Sequence, residues 1–406
     1  MPRRYCLCFA LSFLLSSSAA AQFKFERVKD GDFMDRPKLL TPYTMSHFNR
    51  VEGLFLDLGL TLRPEGAPGL RLFGDVGYGF KNEKGQRVRW NAGIRKDFTN
   101  STFTNRLSVG LHAFRQVYSQ DQWFASTTEN SLAGIFLKED FMDFVGRKGG
   151  MVYGEYRFLQ QHIVRAEIAT YDYEPLKMNT NWSLFGGNKR FPANPRPLGP
   201  YPYVEGRENV FRLMAAFDWR DNPVFPIIGW YVEGIVEKTT DDFSTTGLFL
   251  TVKRHQPTFG EQRLQAKVVF GSRQGSFAYQ HLMSLGGIGS MRGFREKEFV
   301  GNRFLFGTFN YTFGQALLRR VPLHFVPLWD TLALGVFADA GWAWIADPND
   351  ADAGLFDLGG AGLDDLRSDV GLSLVVSEGL LRVDFAKRTD RGNNDWRVTF
   401  RILDKF

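Results

Sequence analysis

Val51-Glu52-Gly53-Leu54-Phe55-Leu56-Asp57-Leu58-Gly59-Leu60-Thr61-Leu62 alternates with a period of two. Leu54, Leu56, Leu58, Leu60 and Leu62 share one face of an extended chain, and Phe55, Asp57, Gly59 and Thr61 share the other, because successive side chains of a strand point to opposite faces. A helix would scatter the five leucines around its circumference, so the run reads as a strand. The next run repeats it, with Leu70, Leu72, Gly74, Val76, Tyr78 and Phe80 set against Arg71, Phe73, Asp75, Gly77 and Gly79. Alternating runs at 87–98 and 105–118 follow. Each has about 10–14 residues, the length that crosses a bilayer as a tilted strand.

Working outward, the alternation resumes at 151–158 and 162–174. It then recurs at 209–220, 227–237, 246–255, 262–273, 301–313, 331–344, 368–376, 380–388 and 396–406. The connections alternate between short and long. The turn Ser377-Glu378-Gly379 is tight, whereas 345–366 is long and acidic, and 175–208 is long and rich in Pro, Gly and Asn. Structureless tracts of that length are foreign to compact soluble domains but ordinary as the outer loops of a membrane barrel. The runs beginning at Val51 number fifteen. A closed barrel with both ends on one side needs an even count, so sixteen strands are expected, with the missing one sought in 119–149. There Leu132, Ile135 and Phe136 stand at helical spacing among Lys138, Glu139, Asp140 and Asp143. The reading is a short amphipathic helix, either in a membrane interface or part of a loop plug.

Composition agrees. The 406 residues include 39 Phe and 42 Gly, and aromatics make up 15%, which suits a barrel with aromatic girdles and small inward-facing residues. Arg3 and Arg4, an apolar run over 5–15 and Ala19-Ala20-Ala21 before Gln22 have the layout of a secretory signal peptide over 1–21. Both cysteines, Cys6 and Cys8, lie within it, which leaves the mature chain without thiol, disulfide or thiolate metal site. Without Arg3 and Arg4 the net charge of +6 falls to about +4, no footprint for nucleic acid. No apolar run approaches the ~20 residues of a membrane-spanning helix. The expected organisation is a signal peptide at 1–21, a short periplasmic segment at 22–50 and an all-β, closed antiparallel transmembrane barrel at 51–406. Outer-membrane lipids are its surroundings.

At the end of the chain, Trp396, Val398, Phe400, Ile402 and Phe406 share one parity and Arg397, Thr399, Arg401 and Lys405 the other. The first set is expected to face lipid, where a charge at the midplane costs about 2–4 kcal/mol, and the second a wet lumen. Phe400, Ile402 and terminal Phe406 match the sorting signal of outer-membrane barrels, with Asp404 departing from it.

The glycine-rich stretch Leu285-Gly286-Gly287-Ile288-Gly289-Ser290-Met291-Arg292-Gly293-Phe294 is too pliable for a ladder. It lies between two alternating runs and carries one fixed charge, Arg292. Its expected dock is Phe337-Ala338-Asp339-Ala340-Gly341, where Asp339 sits mid-strand among apolar neighbours, a costly place for an unpaired carboxylate.

Four segments, in order, resemble the BamA superfamily of outer-membrane assembly and translocation barrels, also called the bacterial surface antigen family, which includes the two-partner-secretion transporters. Asp218-Trp219-Arg220-Asp221-Asn222-Pro223-Val224-Phe225-Pro226 with Gly229 is similar to its inner turn between mid-barrel strands. Gly286, Gly287, Met291, Arg292, Gly293 and Phe294 resemble the loop that inserts an Arg-Gly-aromatic tip into the lumen. Phe337, Asp339 and Gly341 are similar to the strand motif that receives the arginine, and 371–406 resembles the last three strands. The resemblance implies a role in insertion or translocation of outer-membrane or surface components. Its working edge would be the seam between 51–62 and 396–406. It also implies dependence on assembly machinery for the barrel's own insertion, and periplasmic or outer-membrane accessory partners. The chain departs from the family at Asn310, where a glutamate is usual. Its 22–50 segment is too short for a POTRA domain, so a barrel-only member is expected.

Enzymatic and metal signals are weak. His47, His112, His162, His255, His281 and His324 have no metal spacing, and the acidic residues of 347–365 lack a calcium-loop pattern. Asp57 and Asp75 read as hydrated lumen residues. No cofactor and no catalysis are expected. Two alternatives from other classes remain: a passive pore for small solutes and an outer-membrane hydrolase.

Overall fold

A computed structural model describes residues 40–100, 102, 104–197, 203, 205–223, 225–275, 278–315, 318, 321–322, 329–346, 354–356, 362–376, 381–390 and 396–402. The expected signal peptide, the segment to residue 39, most of the acidic loop and Phe406 lie outside these residues. The fold is all-β. Sixteen strands form one antiparallel sheet in sequence order, beginning with β1 (Leu40–Asn49), β2 (Gly53–Leu62), β3 (Leu70–Gly79), β4 (Val88–Thr99), β5 (Arg106–Tyr118), β6 (Val145–Phe158) and β7 (His162–Glu174). The order continues through β8 (Gly206–Asp218), β9 (Gly229–Asp241), β10 (Thr245–Pro257) and β11 (Arg263–Gly275). It ends with β14 (Arg303–Thr312), β15 (Leu332–Trp344), β16 (Arg367–Val376), β17 (Leu381–Arg388) and β18 (Trp396–Ile402). Between β11 and β14, the short β12 (Met283–Leu285) and β13 (Phe299–Gly301) pair in a ribbon of their own. The helix α1 (Thr127–Leu137) lies between β5 and β6.

The chain forms two compact units, one of residues 1–160, 166–199 and 203–209, the other of 161–165, 200–202 and 210–406. In the first, the leucine stripe of β2 faces outward. Leu54, Leu56, Leu58 and Leu60 are 43–61% exposed, while Phe55 and Asp57 are buried. The inward parity of neighbouring strands carries charge, with Arg95 on Asp97 at 2.8 Å and Arg157 on Glu155 at 3.4 Å. Apolar side chains outside and ion pairs inside are the inverse of a soluble sandwich and the pattern of a barrel in lipid. Leu58→Arg is therefore expected to cost about 2–4 kcal/mol of stability in a bilayer, read from urea unfolding in lipid vesicles. An unchanged midpoint would remove Leu58 from the lipid face.

Two expectations need correction. The sixteenth strand is β1, ahead of Val51, and not a strand hidden in 119–149, although β6 begins there at Val145. The strand reaches back into the segment expected to be periplasmic. It escaped notice because it has no apolar stripe and contains Pro42. The register explains how Pro42 is tolerated. Phe48 lies opposite Leu54, and the Leu54 carbonyl is engaged by the Phe80 N–H beyond β3. In an antiparallel ladder, the backbone groups of Phe48 then point away from β2, and every second residue back to Pro42 does the same. The missing N–H of Pro42 thus falls on the side away from β2, where it breaks no bond of this ladder.

The helix also ends before Glu139, Asp140 and Asp143, which the spacing placed within it. It starts on a Ser126 cap, whose Oγ accepts from the Glu129 N–H at 3.1 Å, and stops at Lys138 in the left-handed region. Glu129, Asn130 and Ser131 are buried. A helix lying in an interface would bury apolar residues and expose these, so α1 packs against its own unit instead.

Candidate functional site: a docked loop and its carboxylates

In the second unit, β12 and β13 hold the ends of the glycine-rich stretch together. Gly286, Gly287 and Gly289 have φ of +112, +90 and +73°, a region closed to most side chains. A Cβ on Gly286 would lie 2.3 Å from the Arg295 carbonyl. The Gly287 N–H donates to the Met291 carbonyl at 3.0 Å, and the Ser290 hydroxyl accepts from the Gly286 N–H at 3.0 Å. These turns aim Arg292 at the sheet. Met291 and Phe294 are fully buried on either side of it.

Arg292 meets Asp339 on β15 through three bonds. Its Nε donates to Oδ2 and its Nη2 to Oδ1, both at 2.7 Å, and its backbone N–H reaches Oδ2 at 3.2 Å. This is the two-pronged geometry in which arginine binds a carboxylate best. The guanidinium also lies over the Phe337 ring, 3.4 Å from its centroid. Nη2 donates further to Thr308 Oγ1 at 3.1 Å and to Asn310 Oδ1 at 3.0 Å. Burial pushes the Arg292 pKa down, but Asp339, with Asp384 and Asp369 beyond it, holds it above the ordinary guanidinium value. Gly341 gives room at the dock, since a Cβ there would come within 2.6 Å of the Leu305 carbonyl and 3.3 Å of Leu285 on β12.

Sequence reasoning overlooked the second carboxylate. Asp384 on β17 lies 3.4 Å from Arg292 Nη1 and 2.7 Å from Arg382 Nε, and it accepts a bond from Ser373. Arg382 Nη2 also donates to Asn310 at 2.8 Å. Asn310, a neutral amide, bridges the two arginines, and Asp384 on β17 supplies a second negative charge beside them. The signal was present: Arg382 and Asp384 share one parity of an alternating run. Gly293 completes the fit, because a Cβ there would stand 2.8 Å from Asp369 Cβ. The Phe294 ring packs under Arg388 at 4.0 Å, and its carbonyl accepts from Arg397 on β18.

The remaining candidates fall elsewhere. Phe400 is 39% exposed with Trp396 and Val398, while Thr399 and Arg401 are buried; Ile402 ends β18. In the inner turn, Arg220 clamps Asp218 with two bonds of 2.9 Å, and Asp221 Oδ1 accepts from the Ile227 and Ile228 N–H groups. Asp57 and Asp75 lie on β2 and β3, with Asn91 donating to Asp75 at 3.1 Å. Among the described residues no group of three His, Cys, Asp or Glu side chains is placed to hold a metal ion.

The Omp85 superfamily domain matches residues 79–402. No curated protein matches the chain. Among solved structures the chain is similar to BamA from Haemophilus ducreyi lacking POTRA domains 1–3. That match has a TM-score of 0.54 and 12% identity, over 89% of this chain and 69% of the other. It is also similar to CdiB from Acinetobacter baumannii, with a TM-score of 0.41 and 10% identity over 89% of this chain and 59% of the other. At such identities the BamA likeness speaks to the fold.

Proposed function

The chain belongs to the Omp85 superfamily and is a protein of the bacterial outer membrane, and from that premise we propose that it aids insertion or translocation of outer-membrane or surface components. The observation that supports this most directly is the loop held by Arg292 on Asp339 and Asp384. A loop fixed by charge in the interior braces the strands it touches, β14, β15, β17 and β18 among them, with β1 at the other end of the sheet order as the working strand. Fold alone would not establish this. Accessory proteins, periplasmic or in the outer membrane, would deliver the substrate.

The test is reconstitution of the full chain in lipid vesicles, followed by addition of a urea-denatured outer-membrane barrel protein. Faster folding of that client than in empty vesicles is expected, with low, flickering conductance in planar bilayers. No acceleration together with steady conductance would overturn the proposal in favour of a passive pore.

A further inference from the structure

The outer end of β1 is occupied by groups of its own unit. The edge of β1 away from β2 presents the backbone of Phe48, as the register requires. The Phe48 N–H donates to Ser131 Oγ of α1 at 3.0 Å. Two residues on, the Arg50 N–H donates to Asp140 Oδ2 at 2.9 Å, and the Arg50 carbonyl accepts from the N–H groups of Asn179 and Thr180 at 2.9 and 3.1 Å. An added strand would use these same donors and acceptors. The side chains agree with the backbone. Phe48 shares a face with Leu54, yet Leu54 is 44% exposed and Phe48 only 5%. The helix comes in over it at Gly134, where a Cβ would stand 3.0 Å from the Phe48 ring.

We propose that α1 is a latch on the edge of β1, so that strand addition to this edge stops below Phe48 while the helix is seated and extends to Phe48 when it lifts. The hairpin tip is built to be gripped. Asn49 Oδ1 accepts from the Val51 and Glu52 N–H groups at 2.9 and 2.7 Å, and Gly53 takes φ +65°, a three-residue turn with a left-handed exit. That leaves the Arg50 side chain pointing into the loops. Covering an exposed edge with a helix is a known way to prevent unwanted pairing. Among the described residues the cover reaches the outer end, and the same parity places the backbone of Thr44 and Ser46 on the edge below it. An incoming strand must therefore displace Ser131, and it gains Phe48 once the helix is off, while Arg50 stays held by Asp140, Asn179 and Thr180.

The proposal rests on the assembly reading only for the purpose of the edge, so the two are tested by different readouts. The first is amide hydrogen exchange of the full chain in lipid nanodiscs, resolved at Phe48 and Arg50. Ser131→Ala, which removes one oxygen, is expected to speed exchange at Phe48 at least tenfold while leaving ladder amides of β2 and β3 unchanged. Ser131→Thr, which keeps the hydroxyl, should retain protection. Gly134→Val should speed exchange at Phe48 by pushing the helix away. Unchanged exchange at Phe48 in Ser131→Ala and Gly134→Val would overturn the latch. The second readout is client folding in vesicles, where Ser131→Ala is expected to raise the initial rate at least twofold. Accelerated exchange without any client folding by the native chain would sink the assembly reading and leave the latch standing.

Discussion

Arg292→Ala and Asp339→Ala are each expected to release the loop, with protease cleavage appearing near Phe294 while the sheet still forms. The two side chains are 5% and 0% exposed, so removing either leaves the other buried without its main partner, a loss of about 3–5 kcal/mol. The release should be local, because the ladders of β14 to β17 do not pass through the loop. Arg292→Lys should recover little, since one ammonium cannot reproduce two parallel bonds to Asp339 and a flat contact with Phe337. The double variant should be no worse than the worse single one, because the partners act as a unit. Strictly additive damage in a double-mutant cycle would mean that the contact does not hold the loop. Asp384→Asn should weaken docking less than Asp339→Ala, as its distance to Arg292 is longer and Arg382 shares it.

Arg50→Ala is expected to loosen the outer loops of the first unit by a similar amount, about 3–5 kcal/mol by the same argument. Arg50 is fully buried. Its guanidinium lies 3.0 Å from Asp140 and donates to Asp143, to the Met142 carbonyl and, at 3.1 Å, to the Ala193 carbonyl. One side chain thereby ties the β1–β2 turn to the segment after α1 and to the loop before β8. Arg196 supports the same carboxylate, with Nη1 on Asp143 at 3.1 Å, but it belongs to that loop and cannot hold the turn. The expected result is rapid protease cleavage within 176–197 of Arg50→Ala in intact cells or vesicles, against a resistant native loop. Arg50→Lys should be cleaved nearly as fast, because four acceptors around a planar fork do not suit a point charge. A resistant Arg50→Ala loop would show that Asn194, which bonds Phe144 and Leu176, suffices alone.

How far the site was legible depends on how local each signal is. Arg292 and Asp339 stand out in one dimension because a charge among glycines and a carboxylate in an apolar run are each costly without a partner. They lie 47 residues apart and meet at 2.7 Å. Asp384 and Arg382 are just as buried, yet an alternating strand with charges on one face reads equally well as one wetted by a lumen. Their partnership with Arg292 depends on the register of β14 to β17, which no single run encodes.

Strand identity, the outward apolar face and the antiparallel all-β class were determined by the sequence itself, because side-chain alternation of period two needs no knowledge of neighbours. Residues such as Leu54, Leu56 and Leu58 carry it on their own. Only the tertiary structure decided that β1 is a strand, since β1 contains Pro42, carries no stripe of its own and is stabilised by its pairing with β2. It alone decided what α1 does. Ser131 and Phe48 are 83 residues apart and Arg50 and Asp140 are 90, and neither contact leaves a trace in local hydropathy. Alternation encodes which way a side chain faces; what it meets there is set by the packing of segments far apart in the chain.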